Sequence, residues 1–314
     1  MTDSQTTSTG GTQDQDRGAR EPFALAAAAL PWVARIAWVL VAVLGGAALE
    51  AAVQDRSSAV RWTVAISGWA LFAAVAIALL IPSVRSLTVT RLTAPLAAVA
   101  TVGTIVGGAP GGDVALLAVP AIVAIASMFT AEFGHWMVQA SAYGDEHRLV
   151  LRSPVPAGTA AVISWIIWAT ALLVGPLALA AGNWAVGVPL TLIAIAATVL
   201  IGPRWHKMSR RWLVLVPAGL VVHDPVVLAD TLMVRTDQLL GIGLARSDTE
   251  AADLTGPASG YAVQVDTSET VSTVFAFTPQ EPNGKAIHMT GFLVAPSRPG
   301  HALRLAAQRR LPIR

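Results

Sequence analysis

Long stretches without a charged residue limit what this chain of 314 residues can fold into. Arg61 and Arg85 enclose 23 uncharged residues, and Arg152 and Arg204 enclose 51. An α-helix rises about 1.5 Å per residue, so the first run is long enough to cross the roughly 30 Å hydrocarbon core of a bilayer once and the second twice. Charged residues make up 13% of the chain, against about 25% in a soluble domain. The sequence therefore favours a membrane protein.

The spacing of the charges predicts six transmembrane helices within residues 23–203. The predicted spans are residues 32–52, 61–82, 89–107, 113–131, 157–180 and 184–203. In the first span, Arg35 is expected to extend to the near interface, with Glu50 at the far one. Pro95 and Pro120 can kink the third and fourth spans. Four crossings with a re-entrant hairpin are the alternative.

The distribution of basic residues predicts the orientation of the spans. Ten lie on the side of the two termini: Arg17, Arg20, Arg85, Arg91, Arg148, Arg152, Arg204, Lys207, Arg210 and Arg211. The opposite loops hold only Arg56 and Arg61. The positive-inside rule then puts both termini in the cytoplasm, in a multi-pass protein of the cell (inner) membrane. Residues 1–22 have no apolar run, which predicts a disordered cytoplasmic tail rather than a signal peptide.

Residues 204–314 change to short apolar runs typical of strands. Strands are expected at 212–216, 220–223, 231–235, 239–246, 261–266, 271–278 and 286–290. Pro217–Gly219 is a hairpin signal between the first two strands, and Asn283-Gly284 is a turn dipeptide before the last. Residues 297–311 are expected to form a closing helix, with Pro299 tolerated in its first turn.

This strand order, with the opening hairpin Arg211–Asp224 and the later Thr236–Ile242, resembles the bacterial PH-like domains. The resemblance covers about a third of the chain and rests on pattern. It implies a partly open β-barrel plugged by the C-terminal helix. It carries over no ligand, because Pro217–Gly219 lacks the basic residues with which eukaryotic relatives bind inositol phosphates. The helical part resembles multi-pass membrane proteins of actinobacteria.

Two interpretations concern the start of the β-rich region. The basic residues after the last span are a topology signal and are also expected to contact anionic lipid headgroups: Arg204, Lys207, Arg210 and Arg211. Each such contact is worth about 1 kcal/mol. Asp224, which precedes Pro225, is expected to cap a turn. The alternative is that His223 and Asp224 form half of a catalytic relay, but no nucleophile motif accompanies them.

The densest polar segment follows the fourth span. Glu132 and His135 are spaced i, i+3 and share a helix face, which is the geometry of carboxylate–histidine metal sites. Asp145, Glu146 and His147 could complete a set of oxygen and nitrogen ligands for zinc, iron or manganese. The simpler interpretation is a solvated loop whose carboxylates pair with nearby arginines.

Three functional hypotheses follow. The first is a non-enzymatic membrane anchor whose cytoplasmic β domain recruits a protein partner. The second is a transporter or export component with a regulatory domain, which requires a continuous polar cavity. The third is a metal-dependent membrane enzyme. The chain has no cysteine, which excludes disulfides and iron–sulfur clusters. It shows no cofactor fingerprint and no basic stripe for nucleic acid. Partner identity and oligomeric state stay open.

Overall fold

The structure, a computed structural model, describes residues 10–276 and 284–314, with side chains from residue 28 onward. Its helical part precedes a β-rich region. The helices of this part are α1 (Gly10–Val53), α2 (Ser58–Leu80), α3 (Val84–Thr93), α4 (Leu96–Val106), α5 (Gly111–Met128), α6 (Ala131–Gln139), α7 (Val155–Ala180), α8 (Trp184–Leu200) and α9 (Gly202–Ser209).

Within the described residues, five segments are long and apolar enough to cross a membrane: 28–53, 58–80, 84–106, 111–128 and 155–180. A sixth results if α8 and α9, which meet at an angle of 42°, are counted as one span. The predicted spans agree with these segments to within a few residues.

A proline and a glycine lie at two of the breaks between helices. The third predicted span divides into α3 and α4 at Ala94, next to Pro95, which has no N–H to continue the helical hydrogen bonds. Helix α5 continues through Pro120. The turn between α7 and α8 has Gly182 at φ +78°, a conformation that glycine adopts without strain.

Helix α1 begins at Gly10, within the segment predicted to be a disordered tail. The alanine run over residues 24–29 has high helix propensity, and the helix continues without a break through Pro31. Residues 1–9 lie outside the described residues.

The described residues of the β-rich region form two four-stranded sheets, and neither closes into a barrel. The strands are β1 (His147–Val150), β2 (Trp212–Val216), β3 (Gly219–His223), β4 (Leu232–Arg235), β5 (Leu239–Leu244), β6 (Ala252–Asp253), β7 (Val263–Val274) and β8 (Ala286–Val294). Their orders are β1-β2-β3-β4 and β5-β7-β8-β6. A helix, α10 (Pro299–Gln308), buries Ala302 and Ala306 in the apolar core that both sheets share.

The first sheet takes its edge strand from the helical part. β1 lies between α6 and α7 and pairs antiparallel with β2, with Leu149 opposite Leu213. The predicted solvated loop is therefore partly a strand, and the domain boundary at residue 204 leaves out residues 147–150. Leu149 and Leu151 explain the pairing, because both are buried in the core of the sheets.

Two predicted strands, 261–266 and 271–278, form the single strand β7, whose register against β8 shifts between Asp266 and Val271. The predicted turn at Asn283-Gly284 lies outside the described residues except for Gly284.

Candidate functional site

The helical part and the first sheet share one apolar core. Thr130 caps α6 by accepting a hydrogen bond from the Phe133 N–H. Phe133 and Met137 of α6 are fully buried, and Trp212 and Val214 of β2 belong to the same cluster. Residues of α1, α2 and α5 complete this cluster. The β-rich region is therefore packed against the helices rather than tethered by a linker.

A buried ion pair joins the segments that meet at the junction, which is the contact between the helical part and the β-rich region. Arg211 is 1% exposed, and its guanidinium donates to both carboxylate oxygens of Asp224, with Nε–Oδ1 at 2.7 Å and Nη2–Oδ2 at 2.6 Å. It also donates to the carbonyl oxygens of Arg152, just before α7, and Thr255, after β6. Arg211 is thus unavailable to lipid headgroups. The predicted lipid contact of Arg211 is wrong, because the charge of this residue is paired inside the protein with Asp224.

Asp224, the other residue of the ion pair, caps a turn, as predicted from the sequence. Asp224 Oδ1 accepts from the N–H groups of Val226 and Val227, which caps the turn after β3. The neighbouring His223 Nδ1 lies 3.0 Å from Thr231 Oγ1. The hairpin register could have revealed the ion pair from the sequence. Trp212 pairs with His223, so Arg211 and Asp224 are the next residues in line.

The remaining basic residues of this segment face outward. Arg204, Lys207 and Arg210 are exposed at α9 and its end. Trp205 and Ser209 lie on the opposite, buried side of the same helix. These three cations remain available to an acidic surface.

The structure does not bring the five predicted metal ligands together. The three carboxylates among them are paired with arginines instead. Glu132 Oε1 lies 3.2 Å from Arg298 Nη1. Asp145 Oδ1 lies 2.6 Å from Arg309 Nη2, and Glu146 Oε1 lies 2.6 Å from Arg148 Nη2. His147 belongs to β1. Within residues 10–276 and 284–314, no three His, Asp or Glu side chains gather where they could hold a metal.

His135, the remaining predicted ligand, lies near His301 of α10. Its Nδ1–H donates to the Ala131 carbonyl at 2.8 Å, and Nε2 is buried without a hydrogen-bond partner among the described atoms. The His301 ring centroid is 6.1 Å away. Burial lowers the pKa of His135 to about 4, and His301 and Arg298 add to the effect. Burial also lowers the pKa of His301. No sequence signal indicated that His301 and Arg298 would lie against α6, because they are far from it along the chain.

A polar cavity of about 530 Å³ lies beside β8. Its lining residues include Glu250, Gln264, Asp266, Thr270, His288 and Thr290. Asp266 is already bonded to Gln264 and ion-paired with Arg314. Glu250 has no cation within 4 Å in the part of the chain that the structure describes. The cavity therefore presents a free negative charge.

The same cavity borders an open strand edge. β6 pairs with β8 only at Phe292 and Leu293. Among the described residues, no strand therefore pairs with the outer edge of β8 over residues 286–291. Unpaired N–H and C=O groups at such an edge are a template for another strand.

A second cavity, of about 560 Å³, lies among α1, α2 and α4. It is lined mostly by apolar side chains, and Trp38 and Phe72 stand at its inner limit. Trp38 belongs to the apolar cluster that reaches α6 and β2, so this cavity is separated from the β-rich end.

Comparison with family models, curated proteins and solved structures found no match to this chain.

Proposed function

We propose that this chain is a six-span membrane protein that holds a cytoplasmic β domain as a fixed platform for a protein partner. Large apolar side chains on the helices are exposed and need lipid to cover them. Leu80 is 71% exposed, Val106 83% and Ile66 64%. Apolar surface of this extent is rare on a soluble monomer.

The distribution of charge supports the orientation. Arg204, Lys207 and Arg210 flank the junction with the β domain, whereas Arg56 and Arg61 lie at the opposite end of the helices. The positive-inside rule puts the β domain and both termini in the cytoplasm. The three exposed cations then lie near the anionic headgroups of the inner leaflet. The antiparallel strands closed by α10 support the PH-like interpretation of this domain.

The open edge of β8 is the observation that carries the recruitment hypothesis. An extended segment of a partner can add to residues 286–291 as a further strand, with main-chain hydrogen bonds giving affinity. Glu250, in the adjoining cavity, favours basic side chains on that segment. The rigid junction fixes the direction in which this edge points, which a flexible linker would not do.

The cavities favour recruitment over transport. A transport pathway requires polar groups through the bundle, but the cavity among α1, α2 and α4 has its charged residues only at its mouth and ends at Trp38 and Phe72. The polar cavity lies in the β domain instead.

Photocrosslinking in intact cells tests this function. A photoreactive residue at Thr290, on the β8 edge, is expected to give one discrete crosslinked product. The same residue at Tyr261, which is 78% exposed and lies outside the cavity, is the matched control. The product should disappear with Glu250→Lys, and amides 286–291 should exchange more slowly in native membranes than in purified protein. Equal crosslinking at both positions, or equal exchange in both preparations, would contradict the hypothesis.

A further inference from the structure

The cavity between α1 and α2 exists because two glycines leave it open. A Cβ built on Gly46 or Gly68 meets no atom within 4 Å, and both residues line the cavity. The adjacent Gly45 does not line the cavity, and a Cβ on it would lie 2.5 Å from Leu117 Cδ1 of α5. One face of α1 is thus packed tightly on α5, while the other leaves a space of about 560 Å³. That volume is typical of small-molecule sites.

Aromatic side chains form the floor of this space. Trp38 stacks on Phe72 with ring centroids 6.3 Å apart, and its Nε1–H donates to the Phe72 carbonyl at 3.0 Å. Trp69 meets Phe72 edge-on at 5.7 Å. On α2, Phe72 of this floor lies eleven positions after Arg61 at the mouth. These positions span about 16 Å, close to half of the roughly 30 Å hydrocarbon core. The cavity therefore has the depth of one leaflet.

Opposite charges stand at the mouth. Glu50, near the end of α1, and Arg61, in the first turns of α2, both line the cavity and are both exposed. They are not within ion-pair distance of each other or of any other described charge. A guanidinium is suited to a phosphate, and a carboxylate to an ammonium group.

The geometry points to a binding site for one phospholipid with an amino headgroup, a phosphatidylethanolamine. An acyl chain lies between Gly46 and Gly68 and ends on the Trp38–Phe72 floor. The phosphate contacts Arg61, and the ammonium contacts Glu50. This inference rests on the membrane placement proposed above and adds a ligand to it.

Native mass spectrometry of the delipidated, detergent-purified full chain tests this site. The probes are phosphatidylethanolamine, phosphatidylglycerol and palmitate. One phosphatidylethanolamine per chain is expected to bind. Gly46→Leu and Gly68→Leu fill the cavity and should weaken binding about tenfold or more. Gly103→Leu is the matched control, because its Cβ also meets no atom within 4 Å and Gly103 does not line the cavity.

Two charge variants test the headgroup contacts and do not depend on the leucine variants folding. Arg61→Gln should weaken both phospholipids, whereas Glu50→Gln should remove the preference for phosphatidylethanolamine over phosphatidylglycerol. The inference is overturned if both cavity-filling variants bind like Gly103→Leu, or if palmitate binds as tightly as phosphatidylethanolamine. Release of the chain from membranes by alkaline carbonate would instead refute the membrane placement itself.

Discussion

Removing one partner of the Arg211–Asp224 pair is expected to destabilise the junction strongly. Arg211→Met leaves the Asp224 carboxylate buried without its cation, and it leaves the carbonyls of Arg152 and Thr255 without a donor. Breaking a buried ion pair on one side costs about 3–5 kcal/mol. Asp224→Leu is expected to cost a similar amount, because the buried guanidinium loses its counter-charge.

The double variant distinguishes an uncompensated charge from a simple loss of contacts. With Arg211→Met and Asp224→Leu together, no buried charge remains, and apolar side chains of similar size fill the space. The cost is expected to be well below the sum of the two single changes, because residues in contact do not add. An exposed pair, Arg246–Asp248, is the control, and its loss should cost less than about 1 kcal/mol.

Amide hydrogen exchange of β2 and β3 in the purified full chain measures these costs. Exchange reports the free energy of local opening. A loss of 3–5 kcal/mol corresponds to exchange that is faster by roughly a hundredfold to several thousandfold. If Arg211→Met changed exchange by no more than the Arg246→Met control, the ion pair would not hold the junction together. A double variant as unstable as the sum of the single ones would refute the charge argument.

Three further predictions concern other parts of the molecule. Burial holds the pKa of His135 near 4, below its unfolded value of about 6.5, so the stability that this residue contributes is present above pH 6.5 and is reduced by about 2 kcal/mol at pH 5. His135→Gln should remove this part of the pH dependence in unfolding experiments between pH 8 and 5. Gly175→Ala puts a Cβ 2.8 Å from the Thr191 backbone nitrogen and should destabilise the protein by about 1–3 kcal/mol. Gly158→Ala on the same helix is the control and should leave the melting temperature unchanged or slightly raised. Equal melting temperatures for the two variants would contradict the close approach of α7 and α8. Since the chain has no cysteine, Gln54→Cys should react with an impermeant maleimide in intact spheroplasts and Ser247→Cys only after lysis; the reverse pattern would invert the topology.

The helices were predictable because their signal is local. Long uncharged runs set the spans, and Pro95 and Gly182 interrupt the helices where a missing N–H or a positive φ requires it. Most strands from residue 212 onward were predictable for the same reason, since each is a short apolar run between turn residues.

The junction was not predictable in the same way, because its partners are far apart in sequence. β1 has four residues, too few for a clear alternation, and its partner β2 begins more than sixty residues later. Arg211 has the same sequence context as Arg204 and Arg210, and only the strand register separates the buried cation from the exposed ones. The environment of His135 was not predictable because it depends on α10, which is far away in sequence.

The origin of β1 sets an order for biosynthesis. The ribosome makes β1 before α7 and α8, so in the topology proposed above this strand waits at the inner face of the bilayer while two more apolar helices are inserted. Only when residues 212–216 emerge does β1 gain a neighbour. In the topology proposed above, the first sheet is therefore completed only after α7 and α8 have been inserted, and a polypeptide stalled after α8 would leave β1 without its partner strand.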